Sequence, residues 1–163
     1  MKKLIFLLLF TSLIATGQIN IDTPKEYSKV DTNEKGVLYA IQKISNNTIV
    51  STFNLKENND WSFSLISNDE YIETQKKSKD YDVTLKNFYE NFKLITKNDF
   101  YFKNIGDAFL VVFSFSEGEV NVINTIFQFI KNNKLYTATG SSVREKYREH
   151  FNEYVGILES LKL

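Results

Sequence analysis

The sequence has no cysteine, one histidine, one proline, one tryptophan and six glycines in 163 residues. Without cysteine there is no disulfide, no thiolate zinc site and no cysteine nucleophile. A lone histidine, His150, leaves any metal site to be built from carboxylates, and no Asp-x-Asp-x-Asp-Gly calcium loop is present. Gly106 and Gly118 stand alone, outside any phosphate-cradling glycine pattern. Basic and acidic residues balance at 20 each, so no net field draws the chain to nucleic acid or to anionic lipid. No cofactor, no metal and no nucleic-acid partner are expected.

Only one long apolar run exists, and it is at the start. In "MKKLIFLLLFTSLIATGQIN", Lys2 and Lys3 form a basic head, Leu4 to Ile14 an apolar stretch, and Ala15-Thr16-Gly17 the small residues a signal peptidase reads. The run is shorter than the ~20 residues a membrane-spanning helix needs. It reads as a secretory signal, residues 1–17, cleaved after Gly17, with no cysteine behind it to carry a lipid. Residues 18–163 then have the size of a single domain, which buries roughly two-thirds of its unfolded surface without help from a disulfide or metal. The expected location is secreted or periplasmic, with no membrane span after cleavage.

What the chain has in abundance is aromatic surface: 14 Phe and 9 Tyr, residues suited to a half-buried pleated sheet. Residues 18–34 carry few apolar anchors around Pro24 and predict an opening segment with one short strand. Val37 to Ser45 and Thr48 to Lys56 predict a hairpin closed by Asn46-Asn47, since asparagine tolerates the positive φ of a two-residue turn. "NNT" at Asn46 to Thr48 also fits a glycosylation sequon, but it falls on this tight turn. Trp61, Phe63 and Leu65 alternate with serines and predict a third strand. Residues 68–81 are polar and predict a surface loop or a frayed helical turn.

Leu85, Phe88, Tyr89, Phe92 and Ile95 are spaced to share one helical stripe, predicting a helix from about Thr84. Four strands in a meander follow: Phe100 to Asn104, Ala108 to Phe115, Val120 to Ile130 and Leu135 to Thr139, joined by short polar turns. Ala108 to Phe115 is apolar on both faces, as a central covered strand should be. Val143, Tyr147, Phe151, Tyr154 or Val155, Leu158 and Leu161 predict a long C-terminal helix.

Candidate chemistry is sparse. Ser141-Ser142 lies where the last strand gives way to this helix, and Ser142 with Glu145 fits a capping box; a serine nucleophile would need a glycine-flanked elbow that is absent. His150 is predicted on the outer face of the helix, among charges. Glu117 and Glu119 flank Gly118 in a pattern typical of a wet hairpin tip. Lys76, Lys77 and Lys79, close to Tyr71 and Tyr81, are the densest basic cluster and the candidate contact for a partner.

Three stretches, "TLKNFYENFKLI", "NNKLYTATGSS" and "HFNEYVGILESLKL", together with the element order, resemble the PsbP-like family, which includes the bacterial DcrB-like envelope proteins and a nuclear Ran-binding relative. The resemblance runs from about Thr23 to Leu163 and departs most at the start, where only Pro24 remains of the expected proline- and tryptophan-bearing opening. It implies an α+β fold: an antiparallel β-sheet flanked by helices, an α/β/α sandwich with a long C-terminal helix. It also implies an accessory or binding protein with no shared catalytic residues to carry over.

The functional expectation is a non-enzymatic extracytoplasmic domain contacting a protein or envelope component. A second is a cone-shaped pocket protein, binding a small molecule or catalytic, lined by Phe100, Phe102, Phe113 and Phe127. A third is an immunity or inhibitor protein with a single tight partner.

Overall fold

The computed structural model describes residues 19–58 and 61–163. The leader expected over residues 1–17 lies outside the described residues. Seven antiparallel strands form one sheet: β1 (Ser28–Lys29), β2 (Val37–Ser45), β3 (Thr48–Asn58), β4 (Glu90–Phe102), β5 (Gly106–Glu117), β6 (Val120–Lys131) and β7 (Lys134–Val143), in the order β1-β2-β3-β7-β6-β5-β4. The chain builds the β1-β2-β3 side, crosses to the far edge, and returns through the β4 to β7 meander until β7 pairs with β3.

The Asn pairs set two of the turns. Asn46 and Asn47 (φ 50° and 60°), and Asn132 and Asn133 (φ 51° and 60°), sit in the left-handed region that a two-residue hairpin requires. Alternation along the strands separates two cores. On one face Ile41, Phe53, Leu55, Phe102, Leu110, Phe127 and Ala138 meet Tyr154, Ile157 and Leu158 of helix α3 (Tyr147–Ser160). On the other, Phe109, Val111, Phe113 and Ile126 meet Ile72 of α1 (Asn68–Lys77) and Leu85 of α2 (Asp80–Phe88). The sheet between helical layers is the expected α/β/α sandwich, and β5 is buried on both faces as its composition requires.

Three local predictions are overturned. Residues Trp61–Leu65 form a 3-10 turn, because β2 and β7 already occupy both edges of β3, leaving no ladder for another strand. Phe63 packs edge-on against Tyr71 instead, with ring centroids 6.1 Å apart.

The polar stretch after it is the regular helix α1. Ser67 Oγ accepts from the Glu70 backbone N–H at 3.2 Å, Asp69 and Glu70 occupy the first turn, and Lys76 and Lys77 the last, an arrangement that complements the helix dipole. Only Tyr71 and Ile72 are buried, so the apolar period was too short to read. Asn68 fixes its start, donating to the Asp107 carbonyl and accepting from the Ile130 N–H, both at 2.7 Å.

The third correction concerns the stripe from Leu85 to Ile95. It is split: α2 ends at Phe88, Asn91 takes φ 52°, and β4 begins at Glu90. Leu85, Tyr89 and Phe92 still reach the second core, partly from the helix and partly from the strand, while Phe88 is 78% exposed. At the other end of the molecule, Asn104 donates to the Leu158 and Leu161 carbonyls, each at 2.8 Å, satisfying acceptors that the end of α3 leaves open.

Candidate functional site

Lys43, Ser51, Ser142 and Ile123 stand in register across β2, β3, β7 and β6. This row faces α3, and three of its four members are polar and buried. Burial of such groups is tolerable only if each finds a partner, and α3 brings the partners down onto them. Lys43 Nζ lies 2.6 Å from Glu26, 3.1 Å from Glu149 and 3.1 Å from Glu153, and 5.7 Å from the centre of the Tyr27 ring. Burial pulls the Lys43 ammonium down, but the hydrogen bonds to the three carboxylates outweigh it and its pKa ends raised. The carboxylate oxygens, all within 4.8 Å of one another, have the geometry of a cation site, and the chain supplies the cation itself.

The network continues inward. Tyr27 OH donates to Glu153 at 2.7 Å and meets Ser51 Oγ at 2.7 Å. Ser51 Oγ meets Tyr154 OH at 2.7 Å, and Tyr154 donates to the Ser141 carbonyl at 2.7 Å. Burial drives the Tyr27 and Tyr154 phenols well above the ordinary tyrosine range. Neither phenolate forms under physiological conditions, so these rings serve as neutral hydrogen-bonding groups. Tyr136 is pushed up to about 12, by burial and by the Glu57 carboxylate beside it.

Ser142 and His150 are placed differently from the prediction. Ser142 is the penultimate residue of β7, and a 3-10 turn over Arg144–Lys146 separates it from α3. No side chain caps α3, and the capping box with Glu145 is not formed. His150, expected outside, is fully buried, because it shares a stripe with Tyr154, Ile157 and Leu161. Its Nδ1 lies 2.6 Å from Ser142 Oγ, and Ser142 Oγ donates to the Val143 carbonyl at 2.9 Å. A hydroxyl has one proton to give. With that proton on Val143, His150 Nδ1–H donates to Ser142, and Nε2 is left as a buried acceptor without a partner among the described residues. The spacing would suit a nucleophile and its base, but Ser142 is 1% exposed and His150 0%, so no substrate carbonyl can approach.

Burial holds the His150 pKa below the ordinary 6.5; Glu153 and Glu149 push it up, while Lys43 and Lys146 push it further down. An unfolded chain therefore takes up this proton at a higher pH than the folded one. The expected result is that unfolding free energy declines as pH falls below about 6.5, with a slope of up to ~1.4 kcal/mol per pH unit. Urea titrations of the protein and of His150→Gln between pH 5 and 8 measure it. Parallel pH curves for the two would show that His150 does not carry the effect.

On the opposite face, α1 lies over β4, β5 and β6 and α2 over β4, leaving the ends of β3 and β7, among the described residues, without an α-helix above them. The β2–β3 and β5–β6 hairpin tips stand on either side of this gap. Between them is an open groove of about 700 Å³, within the size range of ligand clefts, roughly 300–1,000 Å³. Val50, Val122, Val143 and Phe115 make its floor apolar, Thr52 and Ser141 add hydroxyls, and Glu117 is the single charged side chain lining it among the described residues. Ile49 and Val120 stand at the rims, 51% and 47% exposed.

The lysine cluster lies on this same side, at the junction of α1 and α2. Lys76 pairs with Glu73 at 2.9 Å and with Asp99 of β4 at 3.5 Å, so it is engaged within the fold. Lys77 approaches Glu73 at 3.8 Å with its side chain 79% exposed, and Lys79 is exposed. The four phenylalanines of the pocket expectation do not share one space. Phe100, Phe102 and Phe127 pack together on the α3 side with centroids 4.9 to 5.5 Å apart, whereas Phe113 belongs to the core under α1 and α2. The groove and the buried row were missed from the sequence. The signal for the row was the pairing register, which one strand read alone does not contain.

No family model matches the chain, and no curated protein matches it. Solved structures do. The fold is similar to cyanobacterial PsbP (CyanoP) from Synechocystis sp. PCC 6803, at TM-score 0.55 and 11% identity over 91% of this chain and 88% of that one. It is similar to LpqN of Mycobacterium tuberculosis, described as involved in cell envelope biogenesis, at TM-score 0.54 and 10% identity over 86% and 79%. The Ran-binding protein Mog1p of Saccharomyces cerevisiae gives TM-score 0.51 and 7% identity over 91% and 92%. The chain spans 45% of the length of a Bacteroides thetaiotaomicron protein of similar fold. The architecture is therefore PsbP-like, as the sequence resemblance implied, and at these identities the likeness is one of fold.

Proposed function

We propose that residues 18–163 form an extracytoplasmic accessory domain that binds a protein or an envelope component and performs no chemistry of its own, and that residues 1–17 are the leader that exports it. The observation that carries this reading is how the sheet's two faces are used. Lys43, Ser51, Ser142, His150 and Tyr154 are closed under α3, each held by a hydrogen bond or ion pair inside the fold, while the other face keeps an open groove between two hairpin tips. The fold's likeness to LpqN and to Mog1p supports a binding role, since one is described by envelope biogenesis and the other by binding Ran.

Of the three candidate lysines, Lys77 and Lys79 are free to meet a partner, and Lys76 holds the end of α1 against β4. The test is affinity capture from envelope extract on the immobilised protein, compared with a Lys77→Glu/Lys79→Glu variant of unchanged melting temperature. A specific protein retained by the first and lost by the second is the expected result. Equal retention by both would move the contact away from these lysines, and no specific retention at any salt concentration would overturn the reading.

A further inference from the structure

The groove beside the end of β7 has a chemistry that selects its occupant. We propose that it takes a small cationic amphiphile, an apolar chain or ring ending in a protonated amine; this rests on the binding role above and gives it a ligand class. Val50, Val122, Val143 and Phe115 offer an apolar bed, which favours an apolar body that takes this surface out of water. At one hairpin tip Glu117 is the charge available to the head group, and among the described residues no basic side chain lines the groove.

A second polar feature borders the groove floor. Asn124 projects from this face of β6, two residues inward from Val122, and its partner in register on β7 is Ser141 of the groove floor. It is 7% exposed, and among the described residues its buried Oδ1 has no hydrogen-bond partner. An orphaned acceptor favours an N–H or O–H donor nearby. The carboxylate at the mouth discriminates against fatty-acid-like ligands of the same length. Ile49 and Val120, exposed at the two rims, are placed to close over the apolar part.

The experiment is an amide chemical-shift titration of the 15N-labelled protein with decylammonium, decanoate and decyl maltoside, each below its micelle concentration. Decylammonium should shift the Val122, Ser141 and Val143 amides, with decanoate at least five-fold weaker at the same sites. Glu117→Gln, at an exposed turn position that leaves the fold intact, should weaken decylammonium roughly two- to five-fold, the range for a solvent-exposed ion pair. Decanoate or decyl maltoside binding as well as decylammonium, an unchanged affinity in Glu117→Gln, or shifts centred elsewhere would overturn the assignment. A silent groove alongside successful capture of a partner would end this inference and leave the accessory role standing. Shifts at the groove with no captured protein would support the ligand site and count against a protein partner.

Discussion

Gly140→Ala is expected to lower the melting temperature by roughly 10 °C, from a loss of about 3 kcal/mol at the upper end of typical overpacking costs. A β-carbon on Gly140 would overlap the Tyr154 ring, approaching Cζ to 2.7 Å, and the ring cannot retreat. Its hydroxyl is held by Ser51 and by the Ser141 carbonyl, each at 2.7 Å, and its face stacks on Phe53 at a centroid distance of 5.7 Å. Phe53, Gly140 and Thr125 are neighbours in register on β3, β7 and β6. The missing side chain at Gly140 is the hollow in the sheet that lets α3 sit down.

Two controls separate this mechanism from a general intolerance of the fold. Gly156, in α3, has open space where a β-carbon would go, so Gly156→Ala should stabilise by about 0.5–1 kcal/mol through helix propensity. Tyr154→Leu is destabilising alone, but combined with Gly140→Ala it should lose less than the sum, because each change removes the reason for the other's cost. Strict additivity in thermal melts of the four proteins would sink the steric account.

Gly140 also shows what the sequence could and could not convey. The strands were legible wherever alternation and turn residues agreed: Asn46-Asn47 placed β2 and β3, and the apolar run from Ala108 to Phe115 placed a central strand. "YTATGSS" marked a strand as well, but nothing in it says that its glycine faces an aromatic ring from a helix that begins seven residues later. The split of the 85–95 stripe has a related cause. A helix turn followed by an extended segment can deliver Leu85, Tyr89 and Phe92 to one core, so spacing alone does not distinguish it from a continuous helix; the break lies in the positive φ of Asn91. His150 and Lys43 were opaque for the opposite reason. Glu149 and Glu153 beside His150 in sequence suggested solvent, yet they are partners of the buried Lys43, His150 itself meets Ser142, and the cluster exists only once β2, β3, β7 and α3 are assembled.

Lys43→Ala should be the second large loss, about 2–3 kcal/mol near pH 7, below the 3–5 kcal/mol of a fully buried broken pair because two of its partners keep solvent contact. Glu26 and Glu149 remain 71% and 54% exposed, whereas Glu153 is 24% exposed. Lys43→Met keeps most of the aliphatic stem, so the difference between the two variants isolates packing from charge.

The pH dependence follows from the direction of each shift. The Lys43 ammonium, raised in the fold, contributes fully below the ordinary lysine range and is lost only as pH rises through its folded value. The hydrogen bond and charge of Lys43 hold the Glu149 carboxyl below its ordinary value, so that part is present above about pH 4.5 and fades as pH falls through the folded value. In Lys43→Ala three carboxylates crowd without a counterion, and acid relieves them. The stability gap between protein and variant should therefore be widest near neutrality and narrow toward pH 4; because Lys43 also pushes the His150 pKa down, its removal eases the acid loss at His150 and narrows the gap in the same direction. Millimolar Ca²⁺ should also recover part of the loss in the variant and none in the parent, since removing the ammonium exposes carboxylate oxygens already gathered within 4.8 Å. A gap that is flat from pH 7 to 4 and indifferent to Ca²⁺ would mean that Lys43 contributes through its stem alone.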